Sequence, residues 1–415
     1  MSGKSVADTR IVLYVGARKL VLLEGTGGED EPKVRRCERA VNPDGFEGGL
    51  VTNLERASAA VEALVAQSPA LREAESPSVY VVLGNSKLKT YGFSSSEYYQ
   101  GGVKSVTPAE IRSVVDQTKS VSTLPLSEHI LQAIPESFLV NDMANIRNPL
   151  GLEASRLGVT LRIFTMNYQD FKNLDKVLDL SDIAVDAYFP KSLAVSEAVL
   201  SAVEKEAGAV MIDIADHYTE LVIWSGGFLL GTKIIPLGAR YLTEKISAEW
   251  GIDARDAERL KETYASLSPA EAFGEELIPL VERNGRGPQS VSRRAFQKKF
   301  VAHCEEWMRK ILAETDDFVD SYQVKYPHYV YTGGGMRFDG FLEFLQARFS
   351  REGRIGLAHG IEAPTEVMAD PSLTAALGMF RCAAQHERDH ARYFGPTGFV
   401  DKMLTGARNW FSNYF

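Results

Sequence analysis

Apolar positions along the chain fall either in short β-branched runs or in longer segments of helical period, and the clearest pattern lies at 209–236. Two apolar runs, 210–214 and 221–224, flank the polar turn Ala215, Asp216, His217 and Tyr218, and a third run, 228–235, follows Ser225, Gly226 and Gly227. β-Branched and aromatic runs bounded by Gly, Asp and Ser predict a three-stranded meander. Its first strand carries an acid, Asp213, just before the turn. The design recurs near the start of the chain, where 10–24 reads as strand, turn at Gly16, Ala17 and Arg18, strand. A third piece, Tyr329, Val330 and Tyr331, runs into Thr332, Gly333, Gly334 and Gly335 ahead of a helical stretch ending near Phe349.

One strand-turn-strand unit opening each half predicts a duplicated, two-lobed α/β protein. In such a protein each hairpin turn can offer backbone N–H groups to a bound phosphate, and glycines permit the close approach. Hairpins also occur widely with no ligand, so the pair alone is compatible with either reading. The turn at 332–335, between a strand and a helix start, adds a third place where backbone can approach a ligand.

Helical period marks 53–67, with Leu54, Ala57, Val61 and Leu64 on one face. It also marks 109–120, and apolar faces at 175–180, 183–188 and 192–203 predict helical segments leading back to the core. Further on, 254–265 sets Glu258 and Lys261 three residues apart on one face, able to reach a ligand or to pair with each other. A long amphipathic helix is predicted at 293–319, carrying Phe296, Phe300, Cys304, Trp307 and Ile311. A polar insertion at 25–34 breaks the first-lobe pattern, and two apolar strands, 130–134 and 157–164, join 109–120 in a small α+β unit.

Composition narrows the picture. At 415 residues and 45% hydrophobic content the chain has ample length for two lobes with their own cores, and a net charge of −9 argues against a nucleic-acid binder. Cys37, Cys304 and Cys382 are scattered and odd in number, which fits a reducing compartment and gives no metal pattern. His386 and His390 stand four apart, where they either begin a metal site or belong to a polar linker. No apolar signal-peptide core and no run of about 20 apolar residues occurs, so the chain is expected to be cytosolic unless tethered.

A tether is suggested by the last segment. Behind the hinge Gly395, Pro396, Thr397 and Gly398, the residues Phe399, Val400, Met403, Leu404, Ala407, Trp410, Phe411, Tyr414 and Phe415 recur at helical spacing. Bulky aromatics there predict an interfacial amphipathic helix, too short to span a bilayer; the alternative is a helix docked on the protein's own surface.

The two hairpins followed by a glycine-rich motif, in this order and spacing, resemble the actin-like ATPase superfamily, and within it the chain is similar to the FtsA family of bacterial cell-division proteins. The likeness rests also on Ser78 to Leu83 (SVYVVL) before Val106, Thr107 and Pro108, on the stretch from His129 to Pro135, and on Asn148, Pro149, Leu150, Gly151 and Leu152. It extends to Ile235, Pro236, Leu237, Gly238 and Ala239, and to Ala257, Glu258, Arg259, Leu260 and Lys261. The resemblance implies an actin-like fold of duplicated RNase H-like domains with an FtsA-type insertion and a C-terminal amphipathic helix. The expected divisions are a first lobe at 1–83 and 167–206, the insertion at 84–166, a second-lobe core at 207–240 and 326–381, its subdomain at 241–325, a linker at 382–398 and the helix at 399–415.

It further implies ATP or ADP with Mg²⁺, held by Gly16, Lys19, Asp216, Glu258, Lys261, Gly333, Gly334 and Gly335, with Asp213 ordering Mg²⁺ or a water. Lys19 and Asp213 are also explained as a solvated lysine and a strand end. The chain departs from the family pattern at both phosphate turns: Tyr14 and Ala17 stand for an acid and a hydroxyl residue, and Ala215, Asp216, His217 and Tyr218 for a glycine-rich turn. Weak or absent hydrolysis is the consequence. The resemblance implies a polymerising adaptor at the division site, holding FtsZ to the cytoplasmic membrane through the FtsZ tail, with copies of itself, lipids and other divisome proteins as partners. Arg293, Arg294, Lys298 and Lys299 would suit the acidic tail, or form a solvated face. An active actin-like ATPase and a PilM-like pilus-assembly adaptor stand as alternatives; a sugar-kinase relative is disfavoured by the insertion and the terminal helix.

Overall fold

The β-branched runs assemble into two five-stranded sheets of one topology. The computed structural model describes residues 9–27, 31–73, 77–269, 273–280 and 289–394. In the first sheet Thr9–Val15, Lys19–Thr26 and Lys33–Val41 form an antiparallel meander, and Ser78–Leu83 and then Ala187–Pro190 extend it in parallel from Thr9–Val15. In the second, Ala209–Ile214, Thr219–Ser225 and Phe228–Ile235 form the meander, extended in parallel by His328–Thr332 and Arg354–Ile355. Three antiparallel strands followed by two parallel ones occur twice, so the duplication extends well beyond the two hairpins.

Three stretches differ from their pattern. Overlapping the end of the polar insertion and running past it, Lys33–Val41 is a strand whose many Lys, Arg and Glu residues sit at a sheet edge, where apolar side chains are not required. Ala187–Pro190, part of a segment expected to be helical, is a strand; its apolar run is too short for period to separate the two states. Among the described residues of 241–325, expected to be helical, the helices are joined by a hairpin of Leu277–Leu280 with Gln289–Ser292.

The inserted unit is a four-stranded antiparallel sheet in the order Met143–Ile146, Glu128–Val140, Arg156–Asn167, Lys89–Tyr98, with the helix Pro108–Val121 packed on it around a core of its own. Thr107 and Glu110 cap that helix reciprocally, satisfying two N–H groups at its start. Lys89–Tyr98 is too polar to read as a strand, yet it pairs with Arg156–Asn167 residue for residue. Thr90 and Thr232 share a hydrogen bond of 2.6 Å, which fixes the insertion to the second lobe.

Between the sheets the helix Thr374–Phe394 crosses the helix Lys191–Val199. Gly378 permits the approach: a Cβ there would lie 1.8 Å from the carbonyl oxygen of Ala194. Side chains from both lobes, Val12, Met211 and Phe380 among them, share one core at this crossing. The helix continues to Phe394 and so takes in 382–394 of the expected linker. The segment 399–415 lies outside the described residues.

Candidate functional site

The two hairpin turns and the glycine-rich turn converge on one cleft of about 460 Å³ between the lobes. Ala17, Arg18 and Lys19 line it from the first hairpin, Asp213, Ala215 and Asp216 from the second, Gly333, Gly334 and Gly335 from the third turn, and Glu258 and Lys261 from the helix Ala254–Tyr264. Gly16 is not part of the lining. Its N–H donates to the Lys19 carbonyl at 2.9 Å to close the hairpin, and the Tyr14 ring covers its Cα so closely that a Cβ would lie 2.6 Å from it.

The glycine-rich turn is shaped by the protein itself. Gly333 has φ +93°, and a Cβ there would lie 2.4 Å from Asp213 Oδ1 and from the Ile214 carbonyl oxygen. The turn therefore packs directly on the end of the acid-bearing strand. The second hairpin turn, with no glycine of its own, is braced from outside: the N–H of Ala239 donates to Ala215 and that of Arg240 to Asp216.

Glu258 and Lys261 do pair, at 2.8 Å. Glu258 also accepts from Thr243 and, across the cleft, from Arg18. Burial acts to raise the Glu258 carboxyl, but Lys261, Thr243 and Arg18 outweigh it and hold the group below the usual carboxylate range. Arg18 also lies 3.7 Å from Asp216 and 3.7 Å from Glu262, so one guanidinium spans from the first lobe to three acids of the second.

Lys19 donates to Ser372, and burial pushes its ammonium down to about 8, with Arg39, Lys191 and Arg337 adding to the fall and Asp370 opposing it. Arg39 lies 2.9 Å and Arg337 3.6 Å from that same Asp370. Three cations thus surround one carboxylate.

Asp213 is fully buried and paired at 2.8 Å with Lys191, itself only 6% exposed. Burial acts to depress the Lys191 ammonium, but Asp213, with Tyr218, Tyr14 and Glu220, holds it well above its ordinary value. Glu220 is pushed up to about 7 by burial, Lys191 opposing and Asp213 adding. A divalent cation does not fit this arrangement. Asp213 is already charge-paired, and no group of three His, Cys, Asp or Glu side chains able to hold a metal occurs among the described residues.

Sequence reasoning missed Lys191, Arg39, Arg337, Asp370 and the reach of Arg18. Lys191 had one local mark: it is a lone cation opening a largely buried helix. The others come from separate segments that only the fold assembles.

Two family models match the chain: "Cell division protein FtsA" over residues 210–378 and "SHS2 domain inserted in FTSA" over 90–165. Cell division protein FtsA of Pseudomonas aeruginosa is 23% identical over 390 residues, covering 94% of this chain and 91% of the relative. That of Escherichia coli K12 is 25% identical over 346 residues, covering 81% and 80%. Among solved structures, the PilM-PilN type IV pilus biogenesis complex aligns at 14% identity and TM-score 0.63, covering 90% of this chain and 98% of the other. MreB5 of Spiroplasma citri bound to ADP aligns at 10% identity and TM-score 0.53, covering 92% and 99%. Duplicated sheets, interlobe cleft and these neighbours define an actin-like protein with an inserted domain. Within that class the chain belongs to the FtsA family and is an FtsA-type cell-division protein.

Proposed function

We propose that this protein is a self-assembling adaptor that holds FtsZ filaments to the inner face of the cytoplasmic membrane, with ATP or ADP in the interlobe cleft tuning assembly. The observation that carries the reading is the inserted sheet-and-helix domain, matched by the FtsA-specific model at 90–165 and docked on the second lobe through Thr90 and Thr232. Nucleotide in the cleft is supported by the convergence of three turns and by the neighbour that binds ADP. Gly333, Gly334, Gly335, Lys19, Asp216, Glu258 and Lys261 would contact it. Tyr14 beside Lys191 and Asp213, and the glycine-free second turn, speak for slow turnover or none.

No described helix is long and apolar enough to cross a membrane. The terminal segment 399–415 would bind the lipid surface weakly, and head-to-tail assembly would multiply that attachment. The FtsZ tail would dock on the 241–325 subdomain. There Arg293 lies 3.5 Å from Glu276, Arg294 3.3 Å from Glu275 and Lys299 2.8 Å from Glu249. Exposed pairs of this kind are worth about 1 kcal/mol or less each, so an acidic peptide can exchange them at small cost.

Co-pelleting with anionic liposomes tests the reading, using the full chain and a chain ending at Gly395, which keeps the helix Thr374–Phe394 whole. Pelleting of the full chain alone, increased by an FtsZ partner on the lipid, is the expected result. Equal pelleting of both chains, or of neither, would remove the tether.

A further inference from the structure

The following rests on the cleft being a nucleotide site. We infer that the cleft binds its nucleotide without a divalent cation, Lys191 supplying at Asp213 the positive charge a metal would bring, and Lys19, Arg39 and Arg337 neutralising the phosphates.

Mg²⁺ needs near-octahedral oxygen ligands at about 2.0–2.1 Å and usually keeps several waters. Asp213 is a poor place for such a shell: its Oδ2 faces Lys191 at 2.8 Å, and its Oδ1 lies against Gly333, where a Cβ would sit 2.4 Å away, so an ion on this carboxylate would have the ammonium as its neighbour. A divalent ion beside the buried ammonium would also meet direct repulsion in a medium that screens poorly. The other acids are engaged. Asp216 faces Arg18 at 3.7 Å and His217 at 3.2 Å, and Glu220 is fully enclosed beside Lys191 and Asp213.

The positive charge that polyphosphate requires is instead built from side chains. Lys19, Arg39 and Arg337 line the cleft around Asp370, leaving an excess of two positive charges at that rim, and Gly334 and Gly335 lie alongside. Guanidinium groups present planar forks that match phosphate oxygens without a bridging metal. Lys191 completes the set from the cleft floor, where an ammonium has donors beyond the one facing Asp213.

The test is a fluorescence titration of the full chain with methylanthraniloyl-ATP, once with excess EDTA and once with Mg²⁺. The expected dissociation constants agree within about twofold. Binding that weakens further in EDTA overturns the inference while leaving the nucleotide reading intact. No binding in either buffer overturns the nucleotide reading itself. The variant Lys191→Ala, which removes the charge and opens the space beside Asp213, is expected to become metal-dependent, with binding about tenfold or more weaker in EDTA. If it binds equally in both buffers, Lys191 does not stand for the metal; if it fails to fold, the wild-type comparison still decides. Arg39→Gln and Arg337→Gln are each expected to weaken binding about tenfold in both buffers, and unchanged affinity would overturn the rim assignment.

Discussion

Arg18, in the turn of the first hairpin, donates a hydrogen bond to Glu258 on a helix of the opposite lobe, 240 residues along the chain. The pair closes the cleft from one wall to the other, and Asp216 and Glu262 flank it. Arg18→Ala leaves Glu258 with Lys261 and Thr243, and Glu262, 62% exposed, is left to water. The expected cost is about 1–2 kcal/mol, as for a charged hydrogen bond in a partly exposed place. Denaturant melting measures it, and amide exchange should rise in the turn 16–18 and the helix Ala254–Tyr264.

Asp213→Asn strands a buried ammonium. Breaking one side of a buried ion pair costs about 3–5 kcal/mol, and the double variant with Lys191→Met should recover much of it. Urea midpoints of the two single variants and the double one give the coupling directly. Additive costs would mean the pair is not coupled.

Glu220 makes stability depend on pH. Its folded carboxyl sits at about 7 against an ordinary 4.5, so the folded state holds its proton more tightly than the unfolded one. The contribution is therefore fully present below about 4.5, is lost as pH rises through 7, and is flat above; the span is roughly 3 kcal/mol. Glu220→Gln should raise the melting temperature at about pH 8 and change it little at about pH 5. A variant destabilised equally at both would show that the carboxylate is needed as a charge.

Gly378→Ala places a methyl group against the Ala194 carbonyl at the crossing of Thr374–Phe394 and Lys191–Val199. Backbone on both sides cannot yield cheaply, so about 1–3 kcal/mol or more should be lost, read as a lower melting temperature. An unchanged melting temperature would mean that the helices separate freely.

Much of the frame was legible because strands buried on one or both faces must be written in apolar runs. Ala209–Ile214, Thr219–Ser225 and Phe228–Ile235 fall where the pattern places them, as does the long helix Arg293–Ser321 with its buried Phe296, Phe300, Cys304 and Trp307. Glycines at 333–335 marked the third turn for a sound reason, since that turn packs on the Asp213 strand end. Polar edge strands such as Lys33–Val41 and Lys89–Tyr98 escaped because exposure removes the apolar pattern that periodicity reads.

The sequence by itself determined the duplicated strand-turn-strand design, the inserted unit, the family likeness and the departures at Tyr14, Ala17 and 215–218, since each is a local feature of composition and spacing. Only the tertiary structure decided who faces whom across the cleft: Lys191 on Asp213, Arg18 on Glu258, and Arg39 and Arg337 on Asp370. The physical reason is that the sign and strength of an electrostatic interaction depend on distance and burial, and these partners stand between 22 and 331 positions apart. Folding brings them within a few ångströms, and buries Lys191 and Asp213 where water screens them little.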